Sequence, residues 1–120
     1  MDFLALLGFL TNSEKSKLFY KNNLEKYIDF DDYIADLDNS FNKENYSNKI
    51  EGVYHILLKD LIKISEEIRL KPVYNNGITT YLDINNIAVA NPHEFIINYF
   101  ETHQNWKIVI SLAKQIESLF

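Results

Sequence analysis

Three histidines, His55, His93 and His103, are the side chains of this 120-residue chain best suited by type to bind a metal ion or move a proton near neutral pH. Their spacing argues against both. No two stand at the i, i+4 interval that brings a pair of imidazoles to one metal, and His93 beside Glu94 is explained by a helix start as well as by an acid–base pair. Cysteine is absent, which removes disulfides, thiolate ligands and thiol nucleophiles together and fits a cytoplasmic protein. Gly8, Gly52 and Gly77 are too far apart to form a phosphate-cradling loop, and Ser13, Ser16 and Ser111 have no nucleophile-elbow context. Arg69 is the single arginine and the lysines are scattered, so neither nucleic-acid phosphates nor an anionic membrane meets a basic patch. The sequence therefore predicts no catalytic residue, no cofactor and no metal site.

What the chain does concentrate is negative charge. Between Glu25 and Glu44 stand seven acidic and two basic residues, so these twenty positions carry the whole formal charge of −5 while the other hundred balance. Asp29, Asp31, Asp32, Asp36 and Asp38 fall within YIDFDDYIADLDNSF, Tyr27 to Phe41, with Tyr27, Tyr33 and Tyr46 close by in sequence. A calcium loop is excluded, because DFDDYIADLDNS has neither the central glycine nor the closing glutamate of an EF-hand. Two readings stay open. One is ordinary solvation of a helix face, with Asp31 and Asp32 offsetting the helix dipole in the first turn. The other is a docking surface for a cationic partner, steered by charge and anchored by tyrosines that combine an apolar body with a polar tip.

The elements that must position these residues are mostly helical. Ile50, Val53, Tyr54, Leu57, Leu61, Ile64 and Ile68 recur at steps of three and four through Asn48 to Leu70, which predicts one long central helix. Asn48 and Glu51 read as its capping box, and Pro72 stops it. Ile56, Leu58 and Ile62 widen the stripe, so neighbours should cover the helix on more than one flank. Before it, Asp2 caps a short apolar helix, MDFLALLGFL, too short for a membrane span and without the basic leader of a signal peptide. Thr11 and Glu14 open a second helix with Tyr20, Leu24, Tyr27 and Ile28 on one face, which Asn22 and Asn23 weaken in the middle. A third begins at Asp29 and turns Phe30, Tyr33, Ile34, Leu37 and Phe41 inward, followed by a connection over 39–47 anchored by Phe41 and Tyr46.

Beyond Pro72 the pattern changes. VYNNGITTYLDI, 73–84, holds Asn-Gly between β-prone residues, the signature of a two-residue hairpin. A lone hairpin is marginal in water, so this segment either lies on the helices or is a helical loop. Asn91, Pro92 and Glu94 then supply cap, first-turn proline and N3 carboxylate, turning Phe95, Ile96, Tyr99 and Phe100 inward. Asn105 starts a last helix that buries Trp106, Val109, Ile110, Ala113, Ile116 and Phe120. The expected architecture is mainly α: one domain over 1–120, a compact bundle of five or six helices around a long central helix, with a short β-hairpin near 73–84.

A small, acidic, cysteine-free helical chain with one acidic and aromatic face resembles the immunity proteins of bacterial toxin systems, including those of contact-dependent growth inhibition. The resemblance lies in size, charge and style over the whole chain. It implies no enzymatic activity but stoichiometric inhibition in the cytoplasm: an acidic surface binds a basic protein toxin, a nuclease, and covers its active site. The partner-binding residues expected here are Asp29, Asp31, Asp32, Asp36 and Asp38 for steering and Tyr33 as anchor. A phage-encoded inhibitor of a host defence nuclease is the alternative, and it requires an extended row of carboxylates that imitates a phosphate backbone. A small enzyme or ligand-binding domain would instead show a deep pocket pairing His93 or His103 with a carboxylate, and a structural subunit would show a large exposed apolar face.

Overall fold

In the computed structural model the described residues are 2–12 and 29–120. The helix expected from Thr11 to Ile28 therefore lies outside them, apart from Thr11 and Asn12. The described residues form five helices and one small sheet: α1 Phe3–Thr11, α2 Asp29–Asn42, α3 Asn48–Ile68, β1 Lys71–Asn75, β2 Ile78–Leu82, β3 Ala88–Val89, α4 Pro92–Thr102 and α5 Gln104–Ser118. The sheet is antiparallel throughout, in the order β1-β2-β3. The molecule measures 54 × 27 × 23 Å, so one axis is about twice the others.

Side-chain spacing explains the helices. On α3, Ile50, Tyr54, Leu57, Leu61, Ile64 and Ile68 are buried along one stripe, and the helix packs chiefly against α5, with α2 and α4 at its flanks. Facing it, α5 buries Trp106, Val109, Ala113 and Ile116 and also holds α1. The stripe on α3 is narrower than its sequence suggests. Ile56 and Ile62 are 55% and 45% exposed, so no neighbour covers that flank among the described residues. Phe120, expected to be inside, is 54% exposed because α5 ends at Ser118, before the inward row reaches it.

Caps set the helix ends. Asp2 accepts from the Ala5 amide at 2.8 Å and Asn91 from the Glu94 amide at 3.2 Å, both as the sequence predicts. The cap of α3 is Ser47, not Asn48: its hydroxyl accepts the Ile50 amide at 3.3 Å, and Asn48 is already helical. At α5 the cap is His103, whose Nδ1 accepts the Asn105 amide at 3.3 Å. Helix α2 also runs further than expected, to Asn42, because the continued helix seats Phe41 between Tyr54 and Tyr46, with ring centroids 3.8 and 4.9 Å away. The connection to α3 is shortened accordingly.

The hairpin forms, and the helical-loop reading falls away. Asn75 pairs with Ile78 across Asn76-Gly77, whose φ values of 51° and 80° are the left-handed pair that a tight hairpin turn demands. A third strand, Ala88–Val89, joins β2 through a turn organised by Asp83, whose Oδ1 accepts the amides of Asn85 and Ile87 at 2.8 and 3.0 Å. That strand is not legible in the sequence, since two residues carry no periodicity. The sheet does not lie flat on the helices. All of β1 is exposed, and anchoring comes from the root, where Leu70 is buried and Tyr81 and Val89 pack against the core. Gly77→Ala should therefore act locally: a methyl group in the left-handed region costs about 1–2 kcal/mol. Amide exchange in 71–82 is expected to accelerate at least fivefold while protection in α3 and α5 stays within twofold.

Candidate protein-binding surface

Helix α2 carries the acidic residues, and its inward row of Phe30, Ile34, Leu37 and Phe41 fixes where they point. They do not share one face. Asp31 and Asp38, seven residues apart, lie on the side toward α3 and are engaged there: Asp31 Oδ2 accepts from Arg69 Nη2 at 2.9 Å, and Asp38 Oδ1 accepts from the Tyr54 hydroxyl at 2.5 Å. Asp32 and Asp36, one turn apart, are exposed and have no ion-pair partner among the described residues. Asp29 is the first residue of α2, and its side chain lies outside the described residues.

Tyr33, expected to anchor a partner, is a core residue. It is 4% exposed, its hydroxyl donates to the Leu6 carbonyl at 2.7 Å, and Phe9 meets its ring edge-on at 6.2 Å. Its position on the inward row, one turn after Phe30, carries that signal; the polar tip is satisfied inside by α1.

Two carboxylates distant in sequence complete the exposed pair. Between the start of α1 and the second half of α2 lies an opening of about 290 Å³, floored by Phe3 and Leu6 and rimmed by Asp2, Asp36, Glu44 and Lys43. Burial first, and then the nearby carboxylates of Glu44 and Asp2, raise the pKa of the Tyr46 phenol. Tyr46 stacks on Phe41 and meets Phe3 at 5.4 Å, so its ring is held half-buried beside the rim. Asp36, Asp2 and Glu44 surround the opening with Lys43 as local counter-charge, and Asp32 stands exposed one turn earlier on α2. Asp2 escapes the sequence reading because its cap role accounts for it, and only the packing of α1 on α2 brings it to Asp36.

A second polar group links α3 to the α4–α5 corner. Glu67 Oε2 accepts from the Tyr99 hydroxyl at 2.6 Å and stands 3.7 Å from His103 Nε2, while the Tyr99 and His103 rings stack at 4.2 Å. Because Nδ1 of His103 accepts the Asn105 amide, the neutral imidazole carries its proton on Nε2, toward Glu67. These contacts hold the corner together. His55 is exposed on α3, and His93 is half-buried in the first turn of α4. Among the described residues, no three His, Asp or Glu side chains are placed to share a metal ion, and no helix is long and apolar enough to cross a membrane.

The buried tyrosines make stability sensitive to alkali. Burial raises the pKa of Tyr33, Tyr54 and Tyr99 above the ordinary value near 10, and hydrogen bonds to Asp38 and Glu67 add to the effect at Tyr54 and Tyr99. Above about pH 10 the unfolded chain releases these protons while the folded protein retains them. The urea midpoint is therefore expected to hold through these groups from pH 8 to about 9, to begin falling as pH approaches 10, and to fall steadily above it.

No protein-family model, curated protein or solved structure matches this chain.

Proposed function

We propose that the protein is an immunity-type inhibitor, not an enzyme: in the cytoplasm it binds a basic toxin, a nuclease, and covers the active site with its acidic surface. The observation that carries this reading is the set of exposed carboxylates: Asp36, Asp2 and Glu44 around an opening with an apolar floor, and Asp32 one turn earlier on the same helix as Asp36. A lysine or arginine of the partner enters that opening with its stem against Phe3 and Leu6 and its charged head at the rim. Negative potential around the opening speeds encounter with a cationic surface and is screened by salt. Asp31 and Asp38 support the surface from behind, through Arg69 and Tyr54, and contribute little steering of their own.

The compactness of the patch favours a plug over phosphate mimicry. Among the described residues only two unpaired carboxylates follow one another along α2, a single helical turn apart, whereas an imitation of nucleic acid needs an extended row. For the scaffold, we take the helices as a bundle organised on α3, in which Tyr54, Leu57, Leu61 and Ile64 are fully buried. The test is co-expression with a basic nuclease toxin domain, the first candidate being any such domain found in an adjacent open reading frame. Growth should be restored by the wild-type chain and restored poorly by Asp32→Asn/Asp36→Asn. Equal protection by that variant, at equal abundance, rules out the acidic surface as the inhibitory face.

A further inference from the structure

Exposed apolar side chains are unevenly distributed over this molecule. Val73, Tyr74, Ile78, Ile84 and Ile87, half of the large exposed hydrophobic side chains among the described residues, belong to the sheet and its loop. The segment 71–91 that carries them contains one formal cation, Lys71, and one formal anion, Asp83. A chain of net charge −5 repels its own copies, but across this neutral sheet two copies can meet without like-charge repulsion.

The strand order leaves an edge for such a meeting. No strand lies beyond β1 among the described residues. In a two-residue hairpin the residues flanking the turn exchange both backbone hydrogen bonds, and every second residue repeats the exchange. Asn75, Val73 and Lys71 thus face β2, and Tyr74 and Pro72 turn their backbone groups outward. Proline is tolerated at Pro72 because the missing N–H would have pointed away from the sheet. Tyr74 keeps its outward N–H and C=O, and its side chain is 77% exposed.

We propose that β1 is the docking edge for a second copy of this chain, paired antiparallel about a two-fold axis at Tyr74. In that register Tyr74 of each copy exchanges both backbone hydrogen bonds with Tyr74 of the other, and the phenol rings lie side by side on one face. Val73 falls opposite Asn75, with Ile78 one strand further out on the same face, and Pro72 falls opposite Asn76 in the turn, where its missing donor matters least. The result is a continuous six-stranded sheet with an isologous interface. The contact rests on Tyr74, Val73 and the outward backbone of β1 and buries less than the roughly 1,000 Å² of a stable specific interface, so the association is weak and reversible.

This surface is separate from the acidic one, so either proposal can fail alone. The test is sedimentation equilibrium of the full chain from about 5 µM to 1 mM, alongside Tyr74→Pro, which removes the outward donor, and Tyr74→Lys, which sets two like charges against each other at the axis. The wild-type mass should rise toward twice the monomer, both variants should stay monomeric, and Asp32→Asn/Asp36→Asn should dimerise like wild type. Cross-strand nuclear Overhauser contacts between Asn75 and Ile78 report whether the hairpin persists; should Tyr74→Pro lose it, Tyr74→Lys decides. A wild-type chain that is monomeric throughout overturns the proposal, as does a dimer that survives Tyr74→Lys.

Discussion

Replacing Leu57 by alanine is expected to lower the stability of the protein by about 2–5 kcal/mol, the range for truncating a fully enclosed leucine. Leu57 has no solvent exposure and lies midway along α3, between Tyr54 and Leu61 on the stripe that faces α5. The surrounding side chains are fixed at both ends, by the Phe41–Tyr54 stack on one side and by the Glu67–Tyr99 hydrogen bond on the other, so the cavity cannot collapse fully. A loss of that size is a large part of the total stability of a small domain. The melting temperature should fall by about 10 °C or more. Ile56→Ala, at a position 55% exposed on the same helix, should shift it by less than a quarter as much. Similar losses at both positions would mean that α3 is packed on more sides than the structure places there.

The contrast between Leu57 and Ile56 marks what the sequence can reveal. Periodicity names the inward row, because steps of three and four select one helical face, and the buried positions of α2 and α3 follow it closely. It does not say how wide the covered stripe is, which depends on how many neighbours arrive; Ile56, Ile62 and Phe120 look inward by spacing and find no full cover among the described residues. Turn chemistry is legible for a similar local reason, since Asn-Gly specifies its own φ angles, whereas the placement of the sheet depends on distant contacts at Leu70, Tyr81 and Val89. The acidic surface is half visible. Asp32 and Asp36 can be found from composition, Tyr33 looks like an anchor by residue type although its spacing marks it as inward, and the contributions of Asp2 and Glu44 exist only in three dimensions.

Neutralising Asp32 and Asp36 together is expected to slow association with a basic toxin by about tenfold at low salt, while the dissociation rate changes by less than threefold. Both side chains are exposed, so neither substitution leaves a buried group unpaired, and folding stability should change little. Asp31→Asn provides the control. It releases Arg69 from its 2.9 Å contact, and since that pair is itself exposed at the surface, the effect on association and on stability should be small. If Asp31→Asn slows association as much as the Asp32/Asp36 pair, the whole circumference of α2 is steering the partner, and the distinction between engaged and free carboxylates loses its force.

The claim on which the functional account depends is that exposed carboxylates on α2 and at the α1–α2 opening attract a cationic partner, and the salt dependence of association measures this most directly. Stopped-flow rates with the basic toxin domain, from about 20 to 500 mM salt, should fall by at least tenfold for the wild-type chain as the Debye length shrinks to a few ångström. The comparison is a variant carrying Asp2→Asn, Asp32→Asn, Asp36→Asn and Glu44→Gln, in which the amide side chain that replaces the Asp2 carboxylate can still cap α1. Its rate should be slow and nearly flat. A wild-type rate that ignores salt, or a quadruple variant that binds as fast as wild type, would contradict the account.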